Sequence, residues 1–240
     1  MWSMRNRIII FIAIVAIGIT IAGIMNMQHY SDAPDSPINR SQNNRLRVIN
    51  PSDVNPALVD ESIQGVKEDH TISDFSFLNQ LGDTITKADV VGKIFVTDFF
   101  FTTCGGICPK MTTQLKRVHQ EFIDDPNFMI LSHTVNPSID TVEVMYKYAE
   151  RFGADHKKWW FLTGSKHDLY VMARKSYLVV PDKDDPNFEH GDESDFVHTE
   201  NFALIDPDGR IRGMYDGTNP AEVDELIRDV YDLKKEYKLD

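Results

Sequence analysis

Apolar and polar positions change rhythm along this chain in a way that predicts strands alternating with helices. In HTISDFSFLNQLGDTITKADVVGK, residues 70–93, short apolar stretches flank a Gly-Asp turn, the pattern of a β-hairpin. KIFVTDFFF (93–101) is a dense apolar run suited to a central strand buried on both faces. In the next segment, 110–123, Met111, Leu115, Val118 and Phe122 fall on one helical face. NFMILSHTV (127–135) reads as a second buried strand. Asp140 and Glu143 then stand at capping-box spacing before a helix that runs through Phe152. WWFLT (159–163) predicts a third strand, and Ser165 with Asp168 opens another helix. NFALIDPDGRIRGMY (201–215) predicts two strands around an Asp-Pro-Asp-Gly turn. The last helix has Asn219 as its N-cap, Pro220 at the first position and Glu222 at the third.

That order, hairpin, βαβα, βα, ββ, α, predicts a three-layer α/β domain of thioredoxin-like arrangement, with a mixed central sheet and an added β-hairpin. In such a layout the end of the first buried strand and the start of its helix form the active edge. The chain's two cysteines, Cys104 and Cys108, fall at that point.

The N-terminus changes the setting. Residues 8–25, IIIFIAIVAIGITIAGIM, are 18 residues without a charge, enough for about 27 Å of helix. Arg5 and Arg7 precede them, and Asp32 and Asp35 follow before the next basic residue, Arg40. The expected organisation is a cytoplasmic N-terminus at 1–7, one transmembrane helix at 8–25, a flexible tether at 26–57 and an exported domain at 58–240 on the periplasmic side of an inner membrane. A cleaved signal peptide fits less well, because no A-x-A-like site follows the apolar run. The tether is read from its Asn, Ser, Asp and Pro content and its lack of periodicity. The chain has 25 Lys plus Arg against 37 Asp plus Glu, a net charge of −12, which argues against a nucleic-acid partner. A domain of about 180 residues buries enough core to fold without a disulfide, so a purely structural staple is the weaker reading of the cysteine pair.

Pro109 cannot donate a backbone N–H and suits the first helical position, which puts Cys108 at or near the N-cap with Cys104 in the loop before it. Free N–H groups and the helix dipole there favour thiolate in one or both cysteines. Thiolate attacks disulfides and also binds metal, so the pair can be a redox couple or two soft ligands for Cu(I) or zinc. The interval Cys-Gly-Gly-Ile-Cys is one residue wider than the Cys-x-x-Cys usual in thiol oxidoreductases of this fold. A metal held this way needs a third ligand, and an imidazole is the expected one. Of the eight histidines, His29 and His70 lie in or beside the tether. His119, His156 and His167 read as solvated or surface residues, and His190 sits in an acidic stretch. His133 follows the strand FMIL and is a second choice. His198 precedes the strand NFALID, which should pair in the sheet and anchor its backbone, and is the expected third ligand.

DFFFTTCGGICPKMT, NPSIDTVEVMYKYAERFG, WWFLTGSKHDLYVMARKSY and FVHTENFALIDPDGRIRGMYDG together resemble the Sco/SenC family over roughly residues 60–235. The resemblance implies a membrane-anchored, thioredoxin-fold copper protein that helps assemble the dinuclear copper centre of cytochrome c oxidase. It implies copper ligands at Cys104, Cys108 and His198. The implied partners are the copper-site subunit of the oxidase, a copper donor protein and a thiol reductant. Two departures stand out. Family members often carry an acidic residue between the cysteines, where this chain has Gly105-Gly106-Ile107, and Asp-Pro where it has Asn136-Pro137. The competing function is a thiol–disulfide oxidoreductase in which Cys104 and Cys108 are the catalytic pair. A peroxidase would need an activating Arg, and the cysteine segment has none.

Overall fold

The computed structural model describes residues 46–54, 56, 59–179 and 199–239. The anchor at 8–25, most of the tether, His190 and His198 lie outside the described residues. Among the described residues no helix is long and apolar enough to cross a membrane.

Among the described residues, seven strands and four helices follow the expected order. A small antiparallel hairpin, β1 (Ser76–Leu78) and β2 (Thr84–Thr86), precedes the main sheet. The sheet contains β3 (Ile94–Phe100), β4 (Phe128–Thr134), β5 (Trp159–Leu162), β6 (Asn201–Ile205) and β7 (Ile211–Asp216), in the spatial order β5-β4-β3-β6-β7. β3, β4 and β5 are parallel, as helical crossovers require, and β6 and β7 run antiparallel. The helices are α1 (Cys108–Glu121), α2 (Val142–Phe152), α3 (Lys166–Val171, continued by a π-helical turn over Met172–Ser176) and α4 (Pro220–Tyr237).

Every residue of β3 and β4 is buried, which explains why both read as continuous apolar runs. Strand parity divides their side chains between two cores. Ile94, Val96 and Phe100 join Phe128, Ile130 and Phe161 under Met111, Leu115 and Val118 of α1, Met145 and Tyr148 of α2, and Leu226 and Val230 of α4. Phe95, Phe99, Met129 and Leu131 form the opposite core with Phe77 and Ile85 of the hairpin and Leu169 and Tyr177 from the α3 side. The result is three layers with a mixed sheet in the middle.

Two termini match the sequence reading. Ser165 caps α3 by accepting from the Asp168 N–H at 3.1 Å, and Asn219 caps α4 by accepting from Ala221 at 3.1 Å. Three expectations need correction. The N-cap of α2 is Thr141, not Asp140: its hydroxyl accepts from the Val144 N–H, and the Asp140 carboxylate turns elsewhere. α1 begins one residue early, with Cys108 as its first residue and Ile107 at the cap. Residues 46–54, expected to belong to the tether, lie against the domain. Leu46 is buried, the Ile49 N–H donates to the Ile211 carbonyl at 2.8 Å, and Arg212 donates to the Leu46 carbonyl at 2.7 Å. Apolar residues are too sparse in this stretch to show a period, and backbone hydrogen bonds carry the attachment instead.

Candidate thiol and metal site

β3 ends at Phe100, and the loop 101–107 carries the chain from the sheet into α1. The Cys104 N–H donates to the Phe101 carbonyl at 3.2 Å, a turn that places Cys104 just outside the first turn of α1. Both cysteines are free thiols in very different surroundings: Cys104 is half-buried, and Cys108 is packed into the core beside Met111 and Phe100.

Their electrostatics diverge accordingly. Partial burial pushes the Cys104 thiol up, but a hydrogen bond with Cys108 and the N–H groups of Cys108, Gly106 and Ile107 outweigh it, so the net shift is downward. Those N–H groups are the unpaired donors at the start of α1. Burial drives Cys108 far up, the hydrogen bond with Cys104 adds to this, and the charges of Cys104 and Asp98 raise it further. The two thiols are thus unequal: Cys104 is the more readily ionised, and Cys108 is the one that burial holds protonated.

Gly105 and Gly106 are both exposed, neither has a positive φ, and a Cβ at either would meet nothing within 4 Å. The turn does not require them. With no side chain at either position, the loop between the two thiols stays open to solvent.

Two carboxylates that the sequence reading does not single out converge below this loop. Asp140 is buried at the mouth of α2. It accepts the Thr102 N–H at 3.2 and 3.3 Å and the hydroxyls of Thr102 and Thr134. Asp98, in the middle of β3, is buried on the α1 face. It accepts the Ser132 hydroxyl, which in turn accepts Trp159 Nε1–H at 2.9 Å. Burial raises Asp98 from the ordinary 3.8 to about 7, against the smaller opposite effect of its hydrogen bonds. One signal pointed to Asp98: a lone carboxylate inside the run IFVTDFF cannot avoid the core.

The histidines sort differently from expectation. His133 pairs with Phe99 in register and therefore points into the core opposite α1, away from the cysteines. It stacks on Phe99 at 5.4 Å and meets Phe77 edge-on at 5.8 Å. Its Nδ1 donates to Thr97 Oγ1 at 3.0 Å, because that hydroxyl already donates to the Leu131 carbonyl. Among the described residues His133 Nε2 is buried without a partner, and burial lowers the ring to about 3. His133 is a core histidine, not a ligand for Cys104 and Cys108. His119, expected in solvent, is buried beneath α1 and accepts the Asp155 N–H at 3.2 Å. His70, placed beside the tether, is buried and bonds the Ser176 carbonyl at 3.0 Å. His156 is half-buried against Glu150 at 2.9 Å, and His167 is exposed as expected. His198 lies outside the described residues. Among the described residues no group of three metal-ligating side chains assembles. The cysteine pair offers two soft sulfur donors side by side, with no third ligating side chain beside them among the described residues.

A mixed-sheet domain with an unequal thiol pair where a central strand passes into its helix is a thioredoxin-like thiol or metal protein. Residues 64–234 match the SCO1/SenC family model, and the chain belongs to that family. It is 30% identical over 166 residues to the SCO1 protein homolog of Bacillus subtilis, covering 67% of this chain and 81% of that one. A solved structure of BsSco superimposes with a TM-score of 0.57 at 28% identity, over 69% of this chain and 94% of that one. That structure is described as showing a disulfide switch in a member of the Sco family of cytochrome c oxidase assembly proteins. Arabidopsis thaliana ScoI with copper bound shares the fold, with a TM-score of 0.53 at 24% identity, over 68% of this chain and 98% of that one.

Proposed function

We propose that this chain is a copper metallochaperone, held to the inner membrane by residues 8–25, that delivers copper to the dinuclear copper site of cytochrome c oxidase during assembly. Copper is its cargo. Cys104 and Cys108 supply two thiolates and His198 an imidazole. The observation that carries the reading is the cysteine edge. Two soft donors stand together at the open end of a buried strand, one accessible and one in the core, under a surface that two glycines leave bare. A thiolate that is half-exposed and held by backbone N–H groups can be exchanged for a partner's ligand without unfolding the loop.

The inequality of the thiols supports a second reading. A thiolate at Cys104 attacks a target disulfide, forms a mixed disulfide and releases one target sulfur as thiolate. Cys108 then gives up its proton, attacks Cys104 Sγ and frees the second target sulfur, leaving the target reduced and the pair oxidised. This thiol–disulfide exchange would prepare the oxidase subunit's cysteines to receive copper.

His198 separates the two. Copper retention uses the imidazole, and disulfide exchange does not. Full-length protein in detergent is loaded anaerobically with Cu(I) or Cu(II), as wild type and as His198→Ala. Cu(II) is the harder ion and needs the nitrogen donor more. Loss of the thiolate-to-Cu(II) charge-transfer band with Cu(I) binding largely kept supports the metallochaperone. An unchanged band in the variant overturns His198 as a ligand. Copper bound by neither protein, with disulfide exchange intact, selects the reductant reading.

A further inference from the structure

We propose that Asp140 is the positioning residue of the cysteine loop, fixing where Cys104 sits over the start of α1. Thr102 lies two residues before Cys104. Its N–H and its hydroxyl are both taken by the Asp140 carboxylate. The same carboxylate accepts the hydroxyl of Thr134, the last residue of β4. Thr134 Oγ1 in turn accepts the Asn136 N–H at 2.9 Å, and the Asp140 N–H donates to the Asn136 carbonyl at 2.9 Å. One buried carboxylate therefore joins the end of β4, the 136–140 turn and the cysteine loop.

This geometry explains the departure from the expected capping box. Asp140 is spaced to cap α2, yet Thr141 does so and leaves both carboxylate oxygens for the loop. A carboxylate that accepts several hydrogen bonds is stable when buried, and it holds its donors tightly because any donor that leaves exposes it. Gly105 and Gly106 add no packing on the far side of Cys104. Besides the turn from Cys104 N–H to the Phe101 carbonyl, the anchorage at Thr102 fixes the stretch of loop that leads into Cys104.

The inference rests on reading the cysteine edge as the reactive site, but its test reads thiol chemistry alone. Failure to bind copper would leave it standing. Reduced full-length protein, as wild type, Asp140→Ala, Thr102→Val and Thr102→Ser, is treated with iodoacetamide at pH 7, and modification of Cys104 and Cys108 is followed separately by mass spectrometry. The reduction potential of the pair against glutathione is measured alongside. Loss of the anchorage should slow Cys104 about fivefold in Asp140→Ala and about twofold in Thr102→Val, as the loop no longer holds the thiol in place at the start of α1. Thr102→Ser keeps the hydroxyl and should react like wild type. Cys108 should stay slow in all folded variants, and the potential should move with the Cys104 rate. A folded Asp140→Ala with wild-type Cys104 reactivity and potential overturns the proposal. If Asp140→Ala does not fold, Thr102→Val decides: a wild-type rate there overturns it, and a slowed rate rescued by Thr102→Ser supports it.

Discussion

Replacing Asp98 by Asn removes one buried charge and almost nothing else, and the effect on stability should depend on pH with a sign set by this fold. Asp98 titrates near 7 in the folded chain against an ordinary 3.8, because burial disfavours its ionised form. Each tenfold change in proton affinity is worth about 1.36 kcal/mol, so ionising Asp98 in place costs about 4 kcal/mol relative to the unfolded chain. Between pH 3.8 and about 7 the folded chain holds a proton that the unfolded chain has released. Stability therefore falls as pH rises through this window, and above it the full penalty applies. Asn keeps the size and still accepts the Ser132 hydroxyl. Asp98→Asn should change stability by under about 1 kcal/mol at pH 4 and raise it by about 4 kcal/mol at pH 8.

His133 hides part of this in the wild type. Its folded value is lowered from 6.5 to about 3, so the unfolded chain binds a proton that the folded chain refuses, and stability rises with pH across that interval. The two groups occupy opposite faces of the sheet and tilt the profile in opposite directions. Asp98→Asn should unmask the His133 slope, making the variant more acid-labile between pH 6 and pH 4 than its stability at pH 8 suggests. The assay is guanidinium unfolding of reduced protein at several pH values, with the variant-minus-wild-type difference as the readout. A difference that is the same at pH 4 and pH 8 would refute the placement of Asp98 as an uncompensated buried carboxyl.

Three further outcomes are expected. Cys104 and Cys108 should close to a reversible disulfide in air, and thiol counting beside copper stoichiometry should find no copper on the oxidised form; one-to-one copper on fully oxidised protein would be the contrary result. Arg212 is buried against Asp206 at 3.0 Å and Glu236 at 2.9 Å and also holds the Leu46 carbonyl, so Arg212→Ala should cost roughly 3–5 kcal/mol by denaturation and should expose residues 46–50 to proteolysis. Protease added to spheroplasts should digest the domain while the anchor stays with the membrane; a protected domain reverses the orientation, and a mature chain beginning near residue 26 removes the anchor.

Elements buried on both faces were the most legible part of this chain, because continuous apolar runs such as IFVTDFF and FMILSHT admit few other structures. The cysteine edge was legible for a related reason: Pro109 marks where a helix begins, and the strand before it fixes which end of the sheet that is. What sequence alone hides is the face to which a residue points. His133 lies near the end of β4, and only the pairing of Phe99 with His133 turns its ring to the core opposite α1. A shift of one residue in that register would have faced it toward Cys108. Asp140 shows the same limit for a terminus. Asp140 and Thr141 are both competent caps, and the choice falls to Thr141 because only Asp140 can bridge Thr102 and Thr134, residues 38 and 6 positions away.

Asp98 was the residue most exposed to a sequence argument, since a carboxylate inside an apolar run must find a partner or hold a proton. Among the described residues it finds a hydroxyl and no cation. Its position on the α1 face then gives it a bearing on the site, because its charge is among those that keep Cys108 protonated. While Asp98 is ionised, a thiolate at Cys108 is disfavoured further, whereas Cys104 is shifted toward ionisation by its N–H donors. In both proposed readings Cys108 acts second, and its burial together with the charges of Cys104 and Asp98 disfavours its thiolate in the free protein.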